Sequence, residues 1–259
     1  MSRFVKSADG LNIAYEIAGE GTPVVLIHGF ASDRVQNWKA PGWYATLNEA
    51  GYRVIALDCR GHGESDKPHE AKFYSQDAMA GDVLSVMRAA GVERAPVMGY
   101  SMGGMLTLHL LMNHAQSLEK AIIGGVGSSY LATEGPEAKM TSPEVRHAIA
   151  AALVEPDKSR IADPVALGFR NFADQAGKDR QALAACMSAE RRNYTREELS
   201  RTAQPILVVC GENDDRTGAP DGLASAFPHG RAVTVPRRDH MTTVGDKVYK
   251  QAVLEFLSE

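Results

Sequence analysis

Five residues near the middle of the chain, Gly99-Tyr100-Ser101-Met102-Gly103, constrain the fold more than any other stretch. They stand between a short apolar run (Ala95 to Met98) and a long apolar segment (Met105 to Met112). That order reads as strand, tight turn and buried helix. The turn needs glycine on both sides of the serine, because Cβ atoms at 99 and 103 would collide as strand and helix close on each other. Ser101 is then held in a strained backbone conformation and exposed at the carboxyl edge of a sheet. Alone, Gly-x-Ser-x-Gly is a weak pattern that also fits a glycine-rich strand-to-helix loop of any α/β protein, so partners elsewhere must decide.

The flanking sequence repeats the strand–helix alternation. Arg3 to Lys6 and Leu11 to Ile17, joined through Asp9-Gly10, predict an antiparallel hairpin. The runs Pro23 to Ile27, Arg53 to Leu57, Ala121 to Val126 and Pro205 to Gly211 are apolar without alternation, the pattern of parallel strands covered on both faces. Helices are expected over Trp43 to Ala50, Ala78 to Ala90 and Val244 to Leu257, with a last strand over Arg231 to Val235. About 75 residues without a strand-like run separate the strands at 121 and 205. Helical stretches at Pro143 to Val154, Pro164 to Ala173, Arg180 to Glu190 and Arg196 to Arg201 make that gap an inserted helical lid. The expected fold class is therefore α/β: a mostly parallel, doubly wound sheet of about eight strands with its ligand site at the carboxyl ends. The core domain takes residues 1–127 and 205–259, and the lid takes 128–204.

Composition narrows the function. A formal net charge of −4 and isolated arginine pairs (Arg191-Arg192, Arg237-Arg238) leave no basic patch for nucleic acid. No apolar run reaches spanning length and Met1 to Gly10 has no signal-like apolar core, which makes a soluble, cytoplasmic protein without stable membrane insertion the expectation. Cys59, Cys186 and Cys210 are few and far apart, so neither disulfides nor a zinc site is indicated.

A serine hydroxyl needs a base to take its proton and an acid to orient that base. Eight histidines are available. His240, in Arg238-Asp239-His240-Met241, lies in the loop between the last strand and the last helix, which opens at the same sheet edge as Ser101. His28 and His62 also lie at carboxyl ends of strands, so location alone does not exclude them. For the acid, Gly211-Glu212-Asn213-Asp214-Asp215 follows a buried strand and precedes His240, the nucleophile–acid–histidine order of a triad on this fold. Asp214 is preferred to Asp215, against the simpler reading that both cap a following turn. Tyr130, Phe169, Phe172, Tyr194, Trp38 and Trp43 are either pocket lining or core.

Taken together, Gly99 to Gly104, His28-Gly29-Phe30, Asp58 to Ser65, Gly211 to Asp214 and Asp239-His240 resemble the α/β-hydrolase superfamily, in particular its lid-bearing carboxylesterase and haloperoxidase/perhydrolase-like branch. The resemblance implies Ser101 as nucleophile, His240 as base, Asp214 as acid, and the backbone amides of Phe30 and Met102 as oxyanion donors. His28 becomes a support for its loop and Arg60 to Ser65 a packed turn. No cofactor or metal is implied, and the partner is a small-molecule ester. Two departures stand out: Arg238 where many relatives carry glycine, which bears on access to His240, and Ala31 where perhydrolase-like members often carry proline, which weakens perhydrolysis as the principal activity. Dehalogenases and epoxide hydrolases, with a carboxylate at the elbow, are set aside. Ester hydrolysis leads; C–C bond hydrolysis, thioester hydrolysis, acyl transfer and a binding protein with residual hydrolysis remain alternatives, and oligomeric state is open.

Overall fold

The computed structural model describes residues 1–131, 142–175 and 178–259. Eight strands form one sheet: β1 (Arg3–Lys6), β2 (Asn12–Ala18), β3 (Thr22–Ile27), β4 (Tyr52–Leu57), β5 (Ala95–Tyr100), β6 (Leu118–Gly124), β7 (Ile206–Gly211) and β8 (Gly230–Val235). Their spatial order is β1-β2-β4-β3-β5-β6-β7-β8. β1 and β2 pair antiparallel, as do β2 and β4, while every other pairing is parallel. The hairpin and the buried parallel strands thus fall where their apolar patterns place them.

Alternate residues of one strand serve two cores. Val25 and Ile27 of β3 face the cluster built on α2 (Gln76–Ala89) and α3 (Met102–Asn113). Val24 and Leu26 face a second cluster with α1 (Trp43–Glu49) and α9 (Lys247–Ser258). A strand apolar at every position is what a sheet covered on both faces requires, each side chain removing its surface from water at roughly 25 cal/mol per Å². Trp38 and Trp43 are fully buried in the second cluster and stack edge to face at 5.9 Å, so both are core rather than pocket lining.

Between β6 and β7 lie α4 (Pro143–Val154), α5 (Pro164–Ala173), α6 (Arg180–Ser188) and α7 (Arg196–Leu199). Side-chain oxygens of Ser142, Asp163, Asp179 and Thr195 cap their first turns, satisfying amides that have no helical partner. Ile149, Leu153, Ala166 and Leu183 share a separate apolar cluster against which Phe30 packs. Residues 132–141 and 176–177, which belong to the expected insertion, lie outside the described residues. Among the described residues, no helix is long and apolar enough to cross a membrane.

Helix ends differ from the sequence reading where a cap decides them. α9 begins at Lys247 rather than Val244 because Asp246 accepts from the Val248 amide. α2 begins at Gln76 because Ser75 accepts from the Ala78 amide. The short elements that the sequence does not signal include α8 (Pro220–Ala224) and a helical turn at Val35–Lys39 that carries Asn37.

Candidate active site

Ser101 follows β5 directly and adopts φ 54°, ψ −115°, a conformation L-residues rarely take. The glycines on either side explain how the turn closes: a Cβ at Gly99 would stand 2.0 Å from the Gly103 carbonyl oxygen, and one at Gly103 would stand 2.0 Å from that of Ile27. The Ser101 amide donates to the Gly124 oxygen at 2.8 Å, tying the turn to β6.

Two loops at the same sheet edge bring up the other groups. Asp214 follows β7, and the loops after β7 and β8 are cross-linked by the Asn213 amide donating to the Arg238 oxygen at 2.8 Å. His240 Nδ1 lies 2.7 Å from Asp214 Oδ2, and His240 Nε2 lies 3.0 Å from Ser101 Oγ. Since a carboxylate only accepts, Nδ1 carries the imidazole proton and Nε2 is free to accept from the serine hydroxyl. The Asp214 side chain is fully buried and that of His240 is 15% exposed. Asp215, by contrast, is exposed. Ser101, Asp214 and His240 therefore form one hydrogen-bonded row, whereas Tyr194 is drawn away to His109 Nδ1 at 2.7 Å.

Several supports were not visible in the sequence. Tyr100 donates its hydroxyl to the His240 carbonyl oxygen at 2.5 Å, holding the histidine loop from the residue before the serine. Asn37, in the unexpected helical turn, accepts from the Gly29 amide at 2.9 Å and fixes the chain just ahead of Phe30. The amides of Phe30 and Met102 find no protein acceptor among the described residues, and Met102 is the first residue of α3, where an unpartnered N–H is normal. Ala31 takes φ 55°, which a proline ring fixed near −65° cannot adopt. Arg238 turns aside to Asp246 at 2.6 Å.

Two hollows meet at Ser101. A cleft of about 530 Å³ is lined by Ser101, His240, Tyr130, Phe169, Phe172 and Arg216, among others. A smaller hollow of about 70 Å³ is lined by Ser101, Met102, Met105, Ile149, Arg146 and Arg191, with Phe30, Tyr130 and Phe169 shared. Among the described residues, no group of three His, Cys, Asp or Glu side chains is placed to hold a metal ion. All three cysteines are free and buried.

The two competing histidines are buried and hydrogen-bonded to the backbone. His28 Nε2 accepts from the Cys59 amide at 2.9 Å while its Nδ1 donates to the Gly29 oxygen at 2.7 Å. His62 Nδ1 donates to the Arg60 oxygen at 2.9 Å, and its ring meets Phe30 edge to face at 5.7 Å. The turn around it is packed: Arg60, 1% exposed, forms ion pairs with Asp82 and Asp9, each at 2.7 Å. Burial, reinforced by the His28 ring, pulls His62 from the usual 6.5 down to about 3. Between those values the unfolded chain binds a proton that the folded chain does not, so stability is present above pH 6.5 and lost as pH falls toward 3. Urea unfolding at pH 7 and pH 4.5 should show wild type losing about 2–3 kcal/mol more than His62→Gln. Equal losses would mean that His62 is not held neutral.

Residues 22–243 match the family described as alpha/beta hydrolase fold. The AB hydrolase superfamily protein YisY of Bacillus subtilis (strain 168) is 32% identical over 231 residues, covering 83% of this chain and 82% of that protein. A hydrolase from Pseudomonas aeruginosa PA01 superposes with a TM-score of 0.80 at 27% identity over 100% of this chain and 98% of its own. A thermophilic esterase from Thermogutta terrifontis, malate bound, gives 0.78 at 26% identity over the same shares. The matched span runs from the strand before Phe30 into the loop that carries His240, ending beyond that histidine, and with it the chain belongs to the α/β hydrolase fold family.

Proposed function

We propose that this protein is a serine hydrolase that cleaves carboxylic esters through an acyl-enzyme. The observation that carries the reading is His240 placed between Asp214 and Ser101 at hydrogen-bond distance from each. His240 takes the Ser101 proton as Oγ attacks the ester carbonyl, and Asp214 holds the tautomer that makes this possible and stabilises the imidazolium formed. The amides of Phe30 and Met102 receive the developing oxyanion, the charge whose stabilisation is usually the largest single contribution to the rate. His240 then protonates the departing alcohol. Water, deprotonated by the same imidazole, attacks the acyl carbon; the acid leaves and Ser101 regains its proton.

Residues 128–204 act in this reading as a lid, with α4 and α5 contributing Ile149 and Phe169 to the hollows beside Ser101. The likeness to the Thermogutta esterase supports an ester over a thioester or a C–C bond. Ala31, whose backbone excludes proline, supports hydrolysis over perhydrolysis. The test is turnover of 4-nitrophenyl esters of graded chain length beside thioester and 1,3-diketone substrates, with mass spectrometry of the quenched enzyme. An acyl adduct on the Ser101 peptide and many equivalents of product are expected. Release of one equivalent at most would instead describe a binding protein.

A further inference from the structure

The small hollow beside Ser101 carries charge that hydrolysis of a plain ester does not use. Arg146 and Arg191 both line it, and Arg216 lines the larger cleft; among the described residues lining either one there is no aspartate or glutamate. The chain as a whole carries a formal charge of −4, so this cationic lining runs against its general balance. Arg191 donates to the backbone oxygens of Tyr74 at 2.7 Å and Cys186 at 2.9 Å, and Arg146 donates to that of Ala189. Carbonyl partners orient a guanidinium without neutralising it. Neither arginine has a carboxylate partner among the described residues, and the nearby Glu144 and Glu190 are exposed and form no ion pair with Arg146. Arg146 Nε is buried and has no acceptor among the described residues. Burial and the Arg191 charge hold Arg146 below the usual arginine range, outweighing the opposing pull of Glu190 and Glu144.

Which part of a substrate meets these arginines follows from His240. The departing alcohol oxygen must lie within reach of His240 Nε2, and His240 lines the large cleft but not the small hollow. Ser101 and Phe30 line both, which puts the reacting carbon at the junction, the alcohol in the large cleft and the acyl chain in the small hollow. We infer that the acyl portion of the substrate ends in a carboxylate, received by Arg146 and Arg191, so that the substrate class is half-esters or lactones of short dicarboxylic acids. A planar guanidinium with unused N–H groups matches a carboxylate in shape as well as charge. The inference rests on the esterase reading and specifies the substrate within it.

The test compares monoethyl succinate, glutarate and adipate with ethyl butanoate, pentanoate and hexanoate, which share the alcohol and the chain length, followed by pH-stat titration. A kcat/KM ratio favouring at least one half-ester by roughly 10-fold or more is expected, the scale of a charge-assisted hydrogen bond. In Arg146→Gln that ratio should fall toward 1, with Arg146→Lys restoring part of it, a pattern that a merely structural arginine would not produce. An unchanged ratio in Arg146→Gln, or no preference in wild type, overturns the inference. So does a stronger preference for O-butanoylglycolate, which carries its carboxylate on the alcohol side. Failure of both ester series would defeat the esterase reading instead. Calorimetric binding of monoethyl glutarate and ethyl pentanoate to wild type and Arg146→Gln would then still decide this one, a shared weak affinity counting against it.

Discussion

In Ser101→Ala, kcat for an activated ester is expected to fall by on the order of 10⁶-fold, the loss seen when a nucleophile that acts as a unit with its base is deleted. Alanine cannot form the acyl-enzyme, and His240 and Asp214 are left with nothing to activate but water. The residual rate comes from the Phe30 and Met102 amides and from binding in the two hollows, neither of which depends on Oγ. Folding should be spared. Among the described residues Oγ has one partner, His240 Nε2 at 3.0 Å. The strained φ of 54° belongs to the backbone, and Gly99 and Gly103, which let the turn close, are untouched. The check is kcat beside the thermal midpoint: a rate above about 1% of wild type at an unchanged midpoint would remove Ser101 from the mechanism.

Much of this site is local, and that is why the sequence shows it. The elbow is a turn whose demands fall on consecutive residues, so Gly99, Ser101 and Gly103 can be read together. The parallel strands are legible because burial on both faces leaves no polar alternation, as in Val24 to Ile27. Chain order and position at a sheet edge bring His240 and Asp214 forward. They cannot separate His240 from His62, since both follow strands; what separates them is the packing that buries His62 against Phe30 and brings His240 to Asp214, which is tertiary. Asp214 and Asp215 differ by one residue and hence by direction, one fully buried against His240 and the other exposed. The supports lie further still from local pattern. Asn37 reaches Gly29 from a helical turn with no periodic signal, and Trp38 and Trp43, near in sequence to Phe30, turn away into the core. Arg146 and Arg191 come from separate parts of the inserted segment, and no local pattern in the sequence brings them to one hollow.

Asp214→Asn should cost about 10⁴-fold in kcat/KM while leaving the fold intact, and the local hydrogen bonds say why the change cannot be absorbed. Asp214 uses both oxygens: Oδ2 meets His240 Nδ1 at 2.7 Å and Oδ1 accepts from the Arg216 amide at 3.3 Å. Asparagine has one oxygen for two donors. If that oxygen stays with the Arg216 N–H, the asparagine amide group faces His240 and donates to Nδ1, which must then give up its proton to Nε2. An Nε2–H imidazole points a donor at Ser101 Oγ and cannot take its proton. If the amide flips, the Arg216 N–H faces an NH₂ group in a place where the side chain is fully buried, and the neutral amide no longer stabilises the imidazolium. Either way the loss falls mainly on kcat rather than KM, because the hollows that bind substrate are unchanged. Asp215→Asn, at an exposed position, is the matched control and should stay within about 2-fold of wild type. Should Asp215→Asn show the large loss and Asp214→Asn the small one, the orienting carboxylate has been misassigned.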